Sequence, residues 1–227
     1  MIPHSLVGRS SYRAYATFGL LVVSILFFLW EMGLTSSAGQ PIEKLVPHYA
    51  FVTCEVGRVS PFELLVDGVR GVFMHLSFGA LLLNMVYLWL FAPRVEQFLT
   101  PRRFLQFFFL GAVGGYVASW IALRGQCAAV VGPNAAIAAV MGGFLFLYPA
   151  QPVDTYVALL SRKITLPAFV FLLLYFASQF FMSEGGPLSG VTLPIWDEIG
   201  GFLTGFIGMF VITLFRPAPS VDPVGED

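Results

Sequence analysis

Charge is scarce in this chain. Asp, Glu, Lys and Arg together make up 11% of its 227 residues, against roughly a quarter in an ordinary soluble domain, and a water-facing surface cannot be assembled from so few without large apolar patches. Basic residues are few as well: twelve Lys plus Arg against thirteen Asp plus Glu give a formal net charge of −1. The basic stripe that nucleic-acid binding needs is therefore missing, and that class is excluded. Cysteine is nearly absent; Cys54 and Cys127 are too few for a disulfide framework and lack the spacing of a metal knuckle. No repeat or low-complexity segment interrupts the chain. Without an inverted repeat or a pair of broken helices, transport has little support.

Apolar residues are abundant, at 57% of the chain with 24 Phe and a mean hydropathy of +0.81. The bilayer must be part of the solvent. Six apolar stretches approach the length needed to cross ~30 Å of hydrocarbon as helices, at about 14–34, 72–92, 104–123, 135–148, 166–181 and 199–215. The fourth is short. The first follows Arg9 and Arg13, has no small-residue cleavage signature and contains Trp30, so it reads as an anchor that stays in the membrane. The expected organisation is a cytoplasmic segment 1–13, a membrane domain 14–216 and a polar tail 217–227.

The basic residues give the orientation. With the N-terminus inside, the inner segments hold Arg9, Arg13, Arg94, Arg102, Arg103, Arg162, Lys163 and Arg216, and the outer loops hold only Lys44, Arg58, Arg70 and Arg124. That excess puts both termini in the cytoplasm. The first outer loop, 35–71, is long and partly apolar, and is expected to fold on or in the interface. Segment 182–196, with Gly185, Gly186, Pro187, Gly190 and Pro194, reads equally as a mobile flap or a plain connector. Cys54 and Cys127 both fall in outer loops, where a disulfide and two separate buried thiols are both open. Gly201 and Gly205 with Gly208, Gly111 with Gly114 and Gly115, and Gly142 with Gly143 are small-residue patterns that let helices approach closely in lipid.

The second stretch reads FMHLSFGALLLNMVYLWLFAPRVEQFL from Phe73 to Leu99, and it resembles the rhomboid intramembrane proteases. His75 precedes Asn84-Met85 by that family's interval, Glu96 follows Asn84 by twelve positions, and APRVE leads into RRFLQFFFLGAVGG. VVGPNAAIAAVMGGFLFLYP at 130–149 resembles the segment carrying the family's nucleophile. LPAFVFLLLYFASQFF, with Gln179, resembles the fifth helix, and WDEIGGFLTG, with Gly201 and Gly205, the sixth. The resemblance runs over 61–215 in order and spacing. It implies an all-α membrane protein, a six-transmembrane-helix rhomboid-like bundle, in a bacterial-type plasma membrane.

Rhomboid proteases use a Ser and His dyad, the Ser in G-x-S-G and the His just before the glycines of the last helix. Here the first motif reads Gly132-Pro133-Asn134-Ala135, and the residue before Ile199-Gly200-Gly201 is Glu198. The family's His four positions before Asn84 is Ala80, and the aromatic four positions after the nucleophile is Ala138. Asn84 and Gly132 are the retained positions. Nucleophilic catalysis needs a hydroxyl or thiol beside a base, whereas an Asn amide has its nitrogen lone pair delocalised into the carbonyl. Glu198 has only water left to activate. Ser77 and Ser119 read as packing or backbone-bonding serines, His75 as a structural hydrogen-bonding group within its span, and Glu96 as a capping or loop-ordering carboxylate. Asp197 and Glu198 also suit a helix first turn without any catalysis.

The resemblance therefore implies a pseudoprotease that binds transmembrane helices of other proteins, as a chaperone-like binder or a subunit of a membrane complex. It implies no cofactor, no metal and no nucleic acid; the lipid bilayer is the constant partner. The alternative is an active hydrolase using Glu198, Asn84 and a water.

Overall fold

The computed structural model of the chain describes residues 2–6, 12–39, 41–157, 162–183 and 195–216. It is mostly helical. The elements run β1 (Ile2–Leu6), α1 (Tyr15–Ala38), α2 (Ile42–Leu45), β2 (Phe51–Val52), α3 (Pro61–Phe73), α4 (Phe78–Leu99), α5 (Pro101–Ala122), β3 (Ala129–Val130), α6 (Asn134–Leu147), β4 (Pro152–Val157), β5 (Arg162–Pro167), α7 (Ala168–Ser183) and α8 (Ile195–Phe215). Four helices, α1, α4, α5 and α8, are long and apolar enough to cross a membrane, and α6 and α7 are shorter apolar helices. The flap or connector read at 182–196 lies almost wholly outside the described residues, as does the polar tail.

Two expectations need correction. The apolar stretch 72–92 is not one span: the chain leaves helix at Met74, and α4 starts only at Phe78. Ser77, read as lying inside the span, is instead the N-cap of α4, its hydroxyl accepting from the Ala80 N–H at 3.1 Å. His75 consequently sits in the link between α3 and α4. The second correction is that β-structure exists alongside the helices. β1, β4 and β5 form an antiparallel sheet with β4 in the middle, at the bundle end where α6 finishes and α7 starts. At the opposite end β2 pairs with β3, Phe51 against Val130 and Val52 against Ala129.

The bundle is organised around α6. Every residue from Ala135 to Phe144 is buried, the mark of a helix surrounded by others. At about 1.5 Å per residue its fourteen residues reach only ~21 Å, which suffices because lipid barely touches it. Its Ala and Gly residues admit α8 and α5 to backbone distance: a Cβ on Gly201 would collide with the Ala135 carbonyl, one on Gly205 with the Ala139 carbonyl, and one on Gly142 with the Phe202 carbonyl. Gly111 and Gly115 of α5 face Ala139 and Ala135 as closely. Gly208 differs, since a Cβ there would make only an ordinary 3.6 Å contact with the Phe107 ring.

α1 packs on α4 through a seam that is polar every seventh residue: Thr17, Ser24 and Glu31 are all buried. Glu96 of α4 receives the start of α1. Its two oxygens accept from the Ala16 N–H (3.0 Å), the Thr17 N–H (2.7 Å), the Thr17 hydroxyl (2.7 Å) and the Tyr12 hydroxyl (3.3 Å). Helix N-terminal N–H groups have no intrahelical acceptor, and a carboxylate there answers both the orphaned donors and the helix dipole.

Candidate functional site

Asn84, Gly132, Asn134 and Glu198 collect at the bundle end opposite the three-stranded sheet, where α4, α6 and α8 begin and α7 finishes, whereas Glu96 lies at the other end of α4. The approach to α6 is built first. Gly132 holds φ +94°, a conformation that costs a residue with a Cβ ~1 kcal/mol or more. Its N–H donates to the Gly71 carbonyl at 2.8 Å, binding the end of α3 to the turn that delivers Asn134. Thr53 reinforces the join: its N–H donates to the Ala128 carbonyl and its hydroxyl to the Gln126 carbonyl, while it accepts from the Ala128 N–H.

Cys54 and Cys127 close the same seam as a disulfide, with Cα atoms 4.8 Å apart. The bond spans 73 residues of sequence, for which the chain-entropy model gives about 4 kcal/mol. The double variant Cys54→Ser/Cys127→Ser, or the parent under reductant, is expected to melt several degrees lower in detergent. An unchanged melting temperature would mean that the β2–β3 ladder alone holds the loop.

Asn134, first residue of α6, then meets Asn84 of α4. Asn84 Nδ2 donates to Asn134 Oδ1 at 3.1 Å. The two amides are thus joined across the helix pair by one N–H of Asn84, the second N–H of the same NH2 group not being used in this bond. Glu198, in the first turn of α8, is buried but turns the other way. It accepts from Gln179 Nε2 at 2.9 Å and from the Tyr175 hydroxyl at 3.4 Å, both on α7. Tyr87 of α4 stacks edge-on against Tyr175 with ring centroids 5.0 Å apart. No hydrogen bond joins Asn134 to Glu198 among the described residues. The structure therefore brings Asn84 to Asn134 and Glu198 to α7, as two separate polar pairs.

Asp197 beside Glu198 is buried as well, with its backbone carbonyl packed at Gly115 of α5. Ala80 and Ala138 add no polar group. Ser119 is buried with its hydroxyl unpartnered among the described residues, and it sits on α5 rather than on the helices that carry Asn134 or Glu198. Among the described residues no cluster of three His, Cys, Asp or Glu side chains is placed to hold a metal ion.

His75 lies just behind the site. Its backbone N–H donates to both oxygens of Glu31, at 3.1 and 3.2 Å, and its Nδ1 donates to the Phe73 carbonyl at 2.9 Å. Burial pushes the ring down to about 4, so it is neutral at neutral pH, with Nε2 a buried acceptor that finds no partner among the described residues. The sequence reading did not single out Glu31, although an acid inside a membrane stretch is a signal in itself. Tyr87 and Tyr175 carried no such signal, since both are ordinary in an apolar helix.

Two comparisons with known proteins bear on this arrangement. A family model described as the Rhomboid domain matches residues 68–215. The chain is also 27% identical over 208 residues to the protein named Rhomboid-like protein 16, chloroplastic, of Arabidopsis thaliana, an alignment covering 84% of this chain. The chain spans about 60% of that relative's length.

Proposed function

The chain belongs to the rhomboid family, and from that premise we propose that it is a non-catalytic member, a pseudoprotease that binds transmembrane helices without cutting them. The observation that carries this reading is the amide pair. The nucleophile position holds Asn134, whose amide oxygen accepts one N–H of Asn84 at 3.1 Å, so the hydroxyl or thiol that acyl transfer needs as its attacking atom is replaced by an amide paired to the neighbouring helix. Glu198 is committed to Gln179 and Tyr175, which removes support from a hydrolase built on Glu198, Asn84 and a water.

On this reading the six apolar helices form the membrane bundle, with both termini in the cytoplasm of a bacterial-type plasma membrane. The disulfide lies on the oxidising outer side, and the three-stranded sheet faces the cytoplasm. Guest helices enter laterally, between α4 and α7, and the protein serves as a chaperone-like binder or a fixed subunit of a membrane complex. His75, Glu96, Gly201 and Gly205 hold the scaffold.

The test is gentle detergent extraction of the tagged protein and mass spectrometry of what co-purifies. It is run beside Glu198→Ala and the triple variant Glu198→His/Asn134→Ser/Ala80→His. Intact membrane partners in near-stoichiometric amount are expected from the parent. Clipped partners from the parent that become intact in Glu198→Ala would overturn the reading and make the carboxylate catalytic.

A further inference from the structure

At the end of the bundle that carries the three-stranded sheet, positive charge gathers where the chain itself does not answer it. Arg102 and Arg103 open α5, and both are exposed. Their placement does nothing for that helix: cations in a first turn oppose the helix dipole, the turn holds no acid, and Thr100 before it makes no side-chain cap. Arg216 directly follows α8 and is exposed too. Gly114 meets Thr204 and Gly200 meets Ala118, so α5 and α8 run antiparallel, and Phe107 still faces Gly208 one turn short of the end. Continued to the end, that register sets Arg102 and Arg103 level with Arg216. The Arg216 guanidinium is seated over the Phe98 ring of α4, 5.0 Å from its centre. None of the three arginines forms an ion pair among the described residues. Of the described acids at this end, Glu96 is buried under its four donors, and Asp154 accepts from the Thr165 hydroxyl.

We propose that Arg102, Arg103 and Arg216 form a headgroup site for an anionic glycerophospholipid of the leaflet at this end, with the guanidinium groups on its phosphate and its acyl chains along the outer face of α5 and α8. A planar guanidinium donates two parallel N–H groups to two phosphate oxygens, which a lone ammonium cannot match. Location selects a lipid over a soluble anion. Leu214 and Phe215 of α8 are exposed immediately beside Arg216. Leu110 and Val113, also exposed, continue the outer face of α5 roughly 10 and 15 Å along the helix from Arg103. Orienting the chain in the membrane asks only for basic residues somewhere in the segments on one side. It does not ask that two helices far apart in sequence bring them to one spot beside lipid. A bound headgroup there ties the start of α5 to the end of α8. The site is separate from the Asn134 and Glu198 pairs and stands whether or not the protein cuts its guests.

Native mass spectrometry of the delipidated full chain in detergent tests this, with phosphatidylglycerol as the probe and phosphatidylcholine of the same acyl chains as the zwitterionic reference. The parent is expected to prefer phosphatidylglycerol. Arg102→Gln/Arg103→Gln and Arg216→Gln should each weaken its binding, by about fivefold for every arginine removed, the scale for one basic residue at an anionic membrane surface. Arg102→Lys/Arg103→Lys keeps the charge and should keep most of the preference, which separates loss of the site from damage to the fold. Arg58→Gln/Arg124→Gln removes two exposed arginines from the opposite end and should leave the preference as it is. Equal affinity of the parent for the two lipids overturns the site, and so does an equal loss in Arg58→Gln/Arg124→Gln. Displacement of the lipid by inorganic phosphate alone overturns it in favour of a soluble anion. A large gain in lipid affinity on neutralising Asp222, Glu226 and Asp227 of the polar tail overturns it in favour of that tail as the occupant.

Discussion

Replacing Glu96 by alanine is expected to destabilise the protein by about 3–5 kcal/mol, the scale of depriving several buried donors of their acceptor at once. Glu96 is fully buried and serves four donors, two of them backbone N–H groups at the start of α1. Removing it leaves those N–H groups and the Thr17 hydroxyl unpaired away from water, at about 1–3 kcal/mol for each donor that finds no substitute. Glu96→Gln should recover only part of the loss. It supplies one acceptor oxygen where two were used, and it points an NH2 group at donors. The stability of each variant in detergent, followed by thermal or denaturant unfolding, measures the effect. Protease sensitivity of the segment before Tyr15 should rise in parallel, because the N-terminal turn of α1 has lost its acceptor. A Glu96→Ala protein as stable as the parent would mean that the bundle holds α1 without this contact.

Gly205→Ala is expected to cost about 2–4 kcal/mol, at or above the upper end for overpacking, because the obstacle is backbone. The added Cβ collides with the carbonyl, carbonyl carbon and Cα of Ala139, and no side-chain rotamer can relieve it. The remedy is to part α6 from α8, which also undoes the Gly201 and Gly142 contacts. The same substitution at Gly208 meets only the Phe107 ring at 3.6 Å, and there the higher helix propensity of alanine should leave stability unchanged or raised by up to about 1 kcal/mol. Measuring the two variants side by side separates close approach from helix propensity. Equal losses would show that the α6–α8 crossing yields where the structure has it locked.

Much of the site was legible because the family's spacing is kept although the residue types at its dyad positions differ. The interval from His75 to Asn84 to Glu96 and the order GPN, then Gln179, then WDEIGG identified the corresponding positions, and one of the resulting pairs, Asn84 with Asn134, is a direct contact. What escaped was side-chain direction. Asn134 and Glu198 stand at equivalent levels of neighbouring helices, yet one turns to α4 and the other to α7, and spacing cannot say which way an acid at the head of a helix will turn. The break at Met74 to Ser77 escaped because apolar residues flank it on both sides, so hydropathy ran straight through a helix boundary that Ser77 alone signalled. The sheet was more readable than it was read: Val153, Thr155 and Val157, then Ile164 and Leu166, alternate with period two. A short segment between two membrane stretches was simply assumed to be loop.

The disulfide carries a further consequence, one of assembly order. Because it joins Cys54 to Cys127 across 73 residues, it closes the chain into a ring that contains the whole of α3, α4 and α5. Such a ring can shut only after α5 has been synthesised and its far end delivered to the side where Cys54 already waits. The thiol of Cys54 must therefore persist unpaired through the making of two long apolar helices. Until the second cysteine arrives it is the one point in the early chain open to a wrong partner, and the completed bond records that the α4–α5 hairpin was laid down the right way round.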